Sequence, residues 1–174
     1  MIEPKFIVIG RNNINKFFFK IFVLFVKYRN FFMDDYAPHR SGIEFFYSYI
    51  LEKSPYFWVI TGNGKFAGFV FLDEFVGSFE NLHSAEITVC FEKHFWGKFT
   101  RLSAMKFFDY CFNQLKLKKI KLGIYPENNR IRGLLKDCGF KKEGLLIGET
   151  FRQGKLQDIE IFGLLNPNLK LSIN

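Results

Sequence analysis

Apolar positions along this chain switch between helical and strand periods, and the switches mark its elements. Residues 7–10 read as a first strand, and residues 12–32 as one or two helical segments. Pro38 biases its predecessor away from helix, so Asp34-Asp35-Tyr36-Ala37-Pro38 reads as a break. Ser41 and Glu44 then stand at capping-box spacing ahead of "FFYSYILEK", which predicts a helix over 42–53. Two strand-like runs, 56–60 and 66–72, flank Thr61-Gly62-Asn63-Gly64, and an Asn-Gly pair so placed signals a hairpin. A strand over 85–91 leads through a loop into an amphipathic helix over 100–115. Residues 119–125 alternate in period two, with Ile120, Leu122 and Ile124 on one face and Lys119 and Lys121 turned away as a solvated edge. A turn at 126–129 precedes a short helix, 130–138, ended by Gly139 as a left-handed terminator. The tail reads as strands over 145–152 and 156–164, with Gly154 between them. This order, with hairpins toward both ends, predicts an α/β (α+β) fold in a single domain over 1–174.

Composition changes that picture little. A chain of 174 residues, 48% hydrophobic and 24% charged, fits one ordinary globular domain. The 25 phenylalanines accompany abundant Lys, Ile and Asn, all with A/T-rich codons, so coding bias accounts for them better than an aromatic binding surface. The formal charge of +8 favours an anionic partner: a nucleotide-like cofactor, nucleic acid or an acidic protein. No dense basic tail or arginine block is present, which argues against nucleic acid. Cys90, Cys111 and Cys138 are odd in number, widely spaced and in no metal pattern; they read as buried thiols of a reducing, cytoplasmic compartment. His39, His83 and His94 lack ligand spacing, so no metal site is expected. The run "FFFKIFVLFV" at 17–26 contains Lys20 and is half the length of about twenty residues that a membrane span needs. It also lacks a secretory cleavage signature. It reads as a core helix, with an exposed partner patch as the lesser alternative, and no membrane partner is expected.

The candidate chemistry centres on "FWGKFTR", residues 95–101, at the junction of a strand and a helix. The free N–H groups of a helix start can hold a phosphate, and close backbone approach favours glycine, here Gly97. Around this loop, "AEITVCFEKHFWGK" resembles a strand running into a Trp-Gly-Lys-Gly loop. "YPENNRIRGLLKDCGF" resembles a Pro-Glu-Asn turn followed at a set distance by Gly-Phe. "KKEG" and "GKLQDIEIF" are similar to an Glu-Gly and to a Gly-Lys…Asp before a last strand. In this order and spacing, the pieces resemble the GNAT family of acyl-CoA-dependent N-acetyltransferases, nearest the ribosomal-protein N-terminal acetyltransferase-like subgroup.

That resemblance implies a mixed, twisted central sheet flanked by helices and acetyl-CoA as co-substrate. It implies an amine acceptor, a small molecule or a protein N-terminus, attacking the thioester directly, in a monomer or homodimer. The pantetheine arm is expected on the backbone of Val89, Cys90 and Phe91, and the pyrophosphate on Trp96, Gly97, Lys98, Phe99, Thr100, Arg101 and Leu102. Glu86 is the implied base, against the alternative of an exposed strand residue paired with a cation. Asn128 is implied to contact cofactor or fix a water, and can equally cap the following helix. Trp96 is read as packing under the loop, Lys98 as exposed or phosphate-facing, and Glu127 as solvated. The sequence departs from the family where Phe99 and Arg101 replace small residues, where Ile131 replaces a serine, and where Leu135 replaces the tyrosine acid. Phe99 either blocks the phosphate or points into the core. Thr100 is a cap or a phosphate donor, and Arg101 is a cation able to replace lost backbone contacts. The alternative function is a GNAT-fold binding or structural module that has lost acetyl-CoA turnover; a nucleic-acid-binding domain rests on charge alone.

Overall fold

The computed structural model describes residues 2–35, 42–78 and 81–169. The elements run β1 (Pro4–Val8), α1 (Ile14–Tyr28), α2 (Ile43–Glu52), β2 (Phe57–Gly62), β3 (Lys65–Ser78), β4 (Asn81–Phe91), α3 (Lys98–Asn113), β5 (Lys119–Ile124), α4 (Asn129–Asp137), β6 (Lys141–Arg152) and β7 (Lys155–Leu165). The strands form one mixed seven-stranded sheet in the order β1-β2-β3-β4-β5-β7-β6, the mixed α/β architecture expected. Neighbours among the described residues run antiparallel, except for β4 and β5, which run parallel through the α3 crossover.

Each face of the sheet carries its own apolar core. On one face α1 buries Ile14, Phe17, Ile21 and Leu24, a helical i, i+3, i+7 stripe, together with Phe46 and Ile50 of α2 and Phe57, Phe69 and Phe71 of the sheet. On the other face α3 buries Phe107, Phe108, Cys111 and Phe112 against Trp58, Val70, Ile87 and Ile120, and α4 adds Leu135. The segment 17–26 is thus a core helix on one side, while Phe19, Val23 and Val26 of its outer side are exposed.

Several expectations shift by a few residues for identifiable reasons. The first strand lies at Pro4–Val8 rather than 7–10, because Asn13 takes over the backbone beyond it. Its amide donates to the Val8 carbonyl (2.8 Å) and its oxygen accepts the Gly10 N–H (2.9 Å). The Asn63-Gly64 turn holds both residues at positive φ (50° and 72°), as a type I′ hairpin requires. Strands β3 and β4 run further than the expected 66–72 and 85–91 and pair with each other, because Glu74 and Gly77 adopt positive φ (45° and 115°) in bulges and the strand continues past them. Lys119 is paired with Glu143 (2.6 Å) instead of standing free. Ser41 of the expected capping box, Tyr36, Ala37 and Pro38 of the expected break, and His39 lie outside the described residues. Position Gly42 takes the N-cap of α2, with Glu44 in the first turn.

Gly68 of β3 marks how closely β3 and β4 approach: a Cβ built there would lie 2.1 Å from the Cys90 carbonyl oxygen, a backbone atom that cannot step aside. Gly68→Ala is therefore expected to cost about 1–3 kcal/mol, in the range of core overpacking. Denaturant unfolding checks this, and a midpoint equal to that of the unsubstituted protein would contradict the approach.

Candidate functional site

β4 and β5 share only three paired positions, Ser84 with Lys119, Ala85 with Ile120 and Glu86 with Lys121. Beyond Glu86 the strands part: β4 stays paired with β3 to Phe91, while β5 stays paired with β7 to Ile124. The Glu92 N–H donates to the Ala67 carbonyl (2.8 Å), which sets the alternation of the strand. Backbone groups of Cys90 therefore point to β3, and those of Val89 and Phe91 point to the opposite edge, into the opening. Of the three backbone positions expected to meet a pantetheine arm, two face the gap and Cys90 does not. Beneath the gap lies an apolar cavity of about 50 Å³, lined by Val89, Phe91, Leu122, Ile131 and Leu135 among others.

The loop after β4 closes the outer end of this opening. The Trp96 indole N–H donates to the Phe91 carbonyl (3.1 Å), so Trp96 packs under the loop and occupies one of the free carbonyls. Gly97 is the N-cap residue of α3 at φ 97°, with open space where a Cβ would stand. Phe99 turns inward: its ring lies 4.9 Å from Phe95 and 6.3 Å from Phe91, centroid to centroid, and rests on Gly62, where a Cβ would come within 2.7 Å of it. Thr100 is buried and its hydroxyl donates back to the Phe95 carbonyl (2.9 Å), which makes it a brace of the loop rather than a cap. Lys98 is exposed and Leu102 half-buried on α3. The Arg101 guanidinium pairs with Asp137 at the far end of α4. Both partners are well exposed, so the pair contributes about 0–1 kcal/mol and does not lock Arg101 in place.

Helix α4 forms the other wall. Asn128 sits at its N-cap and accepts from the Ile131 N–H at 3.5 Å, a long bond, so the capping role is present. Arg132 anchors the helix start, donating to Glu160 (2.8 Å), Asn129 (2.9 Å) and the Pro126 carbonyl (2.5 Å). Lys142 and Arg132 hold the Glu160 carboxyl below its usual range. Glu127 is paired with Arg152. Leu135 is buried in the core, so no phenol stands at that position. The residues that sequence reasoning missed here are Arg130, which stacks on Trp96, the Arg132–Glu160 clamp, and Asp137.

Glu86 stands where the strands part. Side chains alternate along β4, so Glu86 shares the α1/α2 face with Cys90, while Ala85, Ile87 and Phe91 face α3. Burial, with Asp73 and Glu74 adding, raises its pKa, and only Lys121 opposes them. Asp73 is itself paired with Lys53 (2.7 Å). Among the described residues no cation pairs with Glu86, so the strand-salt-bridge alternative does not apply there. Burial pushes the Cys90 thiol up to about 12 and also raises Cys111 and Cys138, so all three are protonated near neutrality. A free strand edge for an amide-bearing arm and an uncovered helix start for phosphate are both present, and a CoA thioester fits these residues.

The acetyltransferase (GNAT) domain profile matches residues 26–141, more than half of the chain. An uncharacterised N-acetyltransferase, p20, of Bacillus licheniformis is 38% identical over 82 residues, 47% of this chain and 46% of that protein. The spermidine N(1)-acetyltransferase of Vibrio cholerae is 37% identical over 78 residues, 44% of this chain and 45% of that protein. The chain thus spans about half the length of the curated relatives it matches. Among solved structures, the V. cholerae spermidine N-acetyltransferase in complex with CoA and spermine superposes with TM-score 0.72 at 24% identity, over 93% of this chain and 95% of that one. The ribosomal-protein-S5-alanine acetyltransferase of Vibrio fischeri gives 0.75 at 17% identity, over 96% and 95%. These structures share the fold.

Burial makes ionising the Glu86 carboxyl costly to folding. Its folded pKa exceeds its unfolded one, so the stability it lends is complete below the unfolded value and lost as pH rises through the folded value. Glu86→Gln is accordingly expected to melt higher than the unsubstituted protein at pH 7, with the gap closing as pH falls through the raised pKa. Melting curves across pH check this, and a lower melting temperature for the variant at pH 7 would contradict it.

Proposed function

The chain belongs to the GNAT family of acetyltransferases, and from that premise we propose that it transfers an acetyl group from acetyl-CoA to a primary amine by direct attack on the thioester. The observation that carries this reading is the parting of β4 and β5 at Glu86, which sets an open backbone edge beside a carboxylate of raised pKa. Val89, with the N–H of Phe91, offers the edge to the pantetheine amides, and the first turn of α3 from Gly97 to Arg101 receives the diphosphate. Phe99 leaves that turn clear by lying on Gly62.

Glu86 accepts the proton of the incoming ammonium, directly or through a water, and the raised pKa makes it a stronger base for that step. The amine reaches it from the α1/α2 side, where Asp73 and Glu74 add negative potential that suits a cation. A small polyamine and a protein N-terminus share this chemistry, a protonated primary amine. The V. cholerae relative, a spermidine acetyltransferase by name, favours the polyamine as the first acceptor to try. Direct attack is supported by the cysteines: Cys90 is buried, with its thiol pushed up to about 12, and offers no thiolate for an acyl-enzyme.

Calorimetry and thermal shift with acetyl-CoA, followed by thiol release on adding spermidine or an N-terminal peptide, test the proposal. Acetyl-CoA is expected to raise the melting temperature by mass action, and Glu86→Gln to lower kcat by about 10²–10⁴ while leaving acetyl-CoA affinity near that of the unsubstituted protein. No heat and no shift at millimolar acetyl-CoA would sink the reading and leave a GNAT-fold module without turnover.

A further inference from the structure

Cations gather around the starts of α3 and α4, and the structure engages them differently. Arg101 pairs with Asp137 across an exposed contact, and Arg132 is clamped by Glu160, Asn129 and the Pro126 carbonyl. Arg130, in the first turn of α4, makes neither an ion pair nor a hydrogen bond with another described residue. Its guanidinium carbon lies 3.7 Å from the centroid of the Trp96 ring. The nearest acid in sequence, Glu127, is paired with Arg152.

Such a cation runs against helix electrostatics, since the N-terminal end of a helix already carries positive potential. Neither α3 nor α4 has an acidic residue in its first turn to offset it. For Arg132, Glu160 supplies the missing anion; for Arg130, none of the described residues does. Trp96, the platform, is pinned by its own N–H on the Phe91 carbonyl and directly precedes Gly97, the N-cap of α3. Stacked on this platform, the guanidinium keeps its N–H fork uncommitted, beside the residue that bonds the Phe91 carbonyl and precedes α3.

We infer that Arg130, held over the Trp96 ring, is a phosphate-binding residue of this acetyl-CoA site. It reaches the diphosphate from α4 with charge-assisted hydrogen bonds, on the side of the opening away from the inward-turned Phe99. The assignment rests on the acetyltransferase reading above. It makes the diphosphate the ligand group that Arg130 recognises and leaves the pantetheine arm to β4.

Calorimetric titration of the unsubstituted protein and of Arg130→Gln with acetyl-CoA and with S-acetylpantetheine, which lacks the diphosphate, tests it. Arg130→Gln is expected to bind acetyl-CoA at least tenfold more weakly, with S-acetylpantetheine affinity unchanged. Arg130→Lys, which keeps the charge without the planar stack, is expected to fall between the two. Equal acetyl-CoA affinity for Arg130→Gln and the unsubstituted protein would overturn the assignment, and so would a loss shared equally by both ligands. If the unsubstituted protein bound neither ligand, the acetyltransferase reading would fall first, and this assignment with it.

Discussion

The short parallel contact between β4 and β5 is the constraint on which the rest of the site depends. Each strand is committed along its length to its outer neighbour, β4 to β3 and β5 to β7, and the two share only the positions from Ser84 to Glu86. A buried strand edge with unpaired N–H and C=O groups is costly, so a fold that keeps one open needs something to satisfy it. Trp96 satisfies the Phe91 carbonyl from within the chain. In the proposed reading the groups of Val89 are left for a ligand, on the strand that also carries Glu86, a carboxyl of raised pKa.

The aromatic content that looked like mere coding bias does structural work at this opening. Phe99 packs on Phe91, Phe95 and Gly62, so that a bulky residue in the loop becomes part of its floor. The absence of a side chain on β2 is what makes room for one on α3. Thr100 then ties the loop back to Phe95. Electrostatics complete the arrangement: two helix starts without acids and Arg130 together form a positive rim. Placing a cation at a helix start costs about 0.3–1 kcal/mol, which an anionic ligand reverses on binding.

Local signals were legible in the sequence wherever a short stretch decides its own conformation. The Asn63-Gly64 hairpin, the α1 stripe of Ile14, Phe17, Ile21 and Leu24, and the Gly139 terminator at φ 86° are of this kind. The long β3–β4 hairpin was not, because Glu74 and Gly77 look like strand breakers and act as bulges only once β4 is paired alongside. At the site, the resemblance placed the loop, but the direction of Phe99 depends on Gly62, far away in sequence. The exposed pairing of Arg101 with Asp137 and the clamp of Arg132 on Glu160 likewise join residues distant along the chain. Arg130 left one faint signal, a basic residue in the first turn of a short helix, where the dipole disfavours it.

In the proposed reading the β4 edge beyond Glu86 is open and receives the cofactor arm. Amide hydrogen exchange measured residue by residue, with and without acetyl-CoA, tests it most directly. The Cys90 N–H, bonded to β3, should be protected in both states, whereas the Val89 N–H should exchange readily in the free protein and slow markedly when acetyl-CoA is bound. A Val89 amide already protected in the free protein, or one whose exchange saturating acetyl-CoA leaves unchanged, would show that this edge does not take the arm.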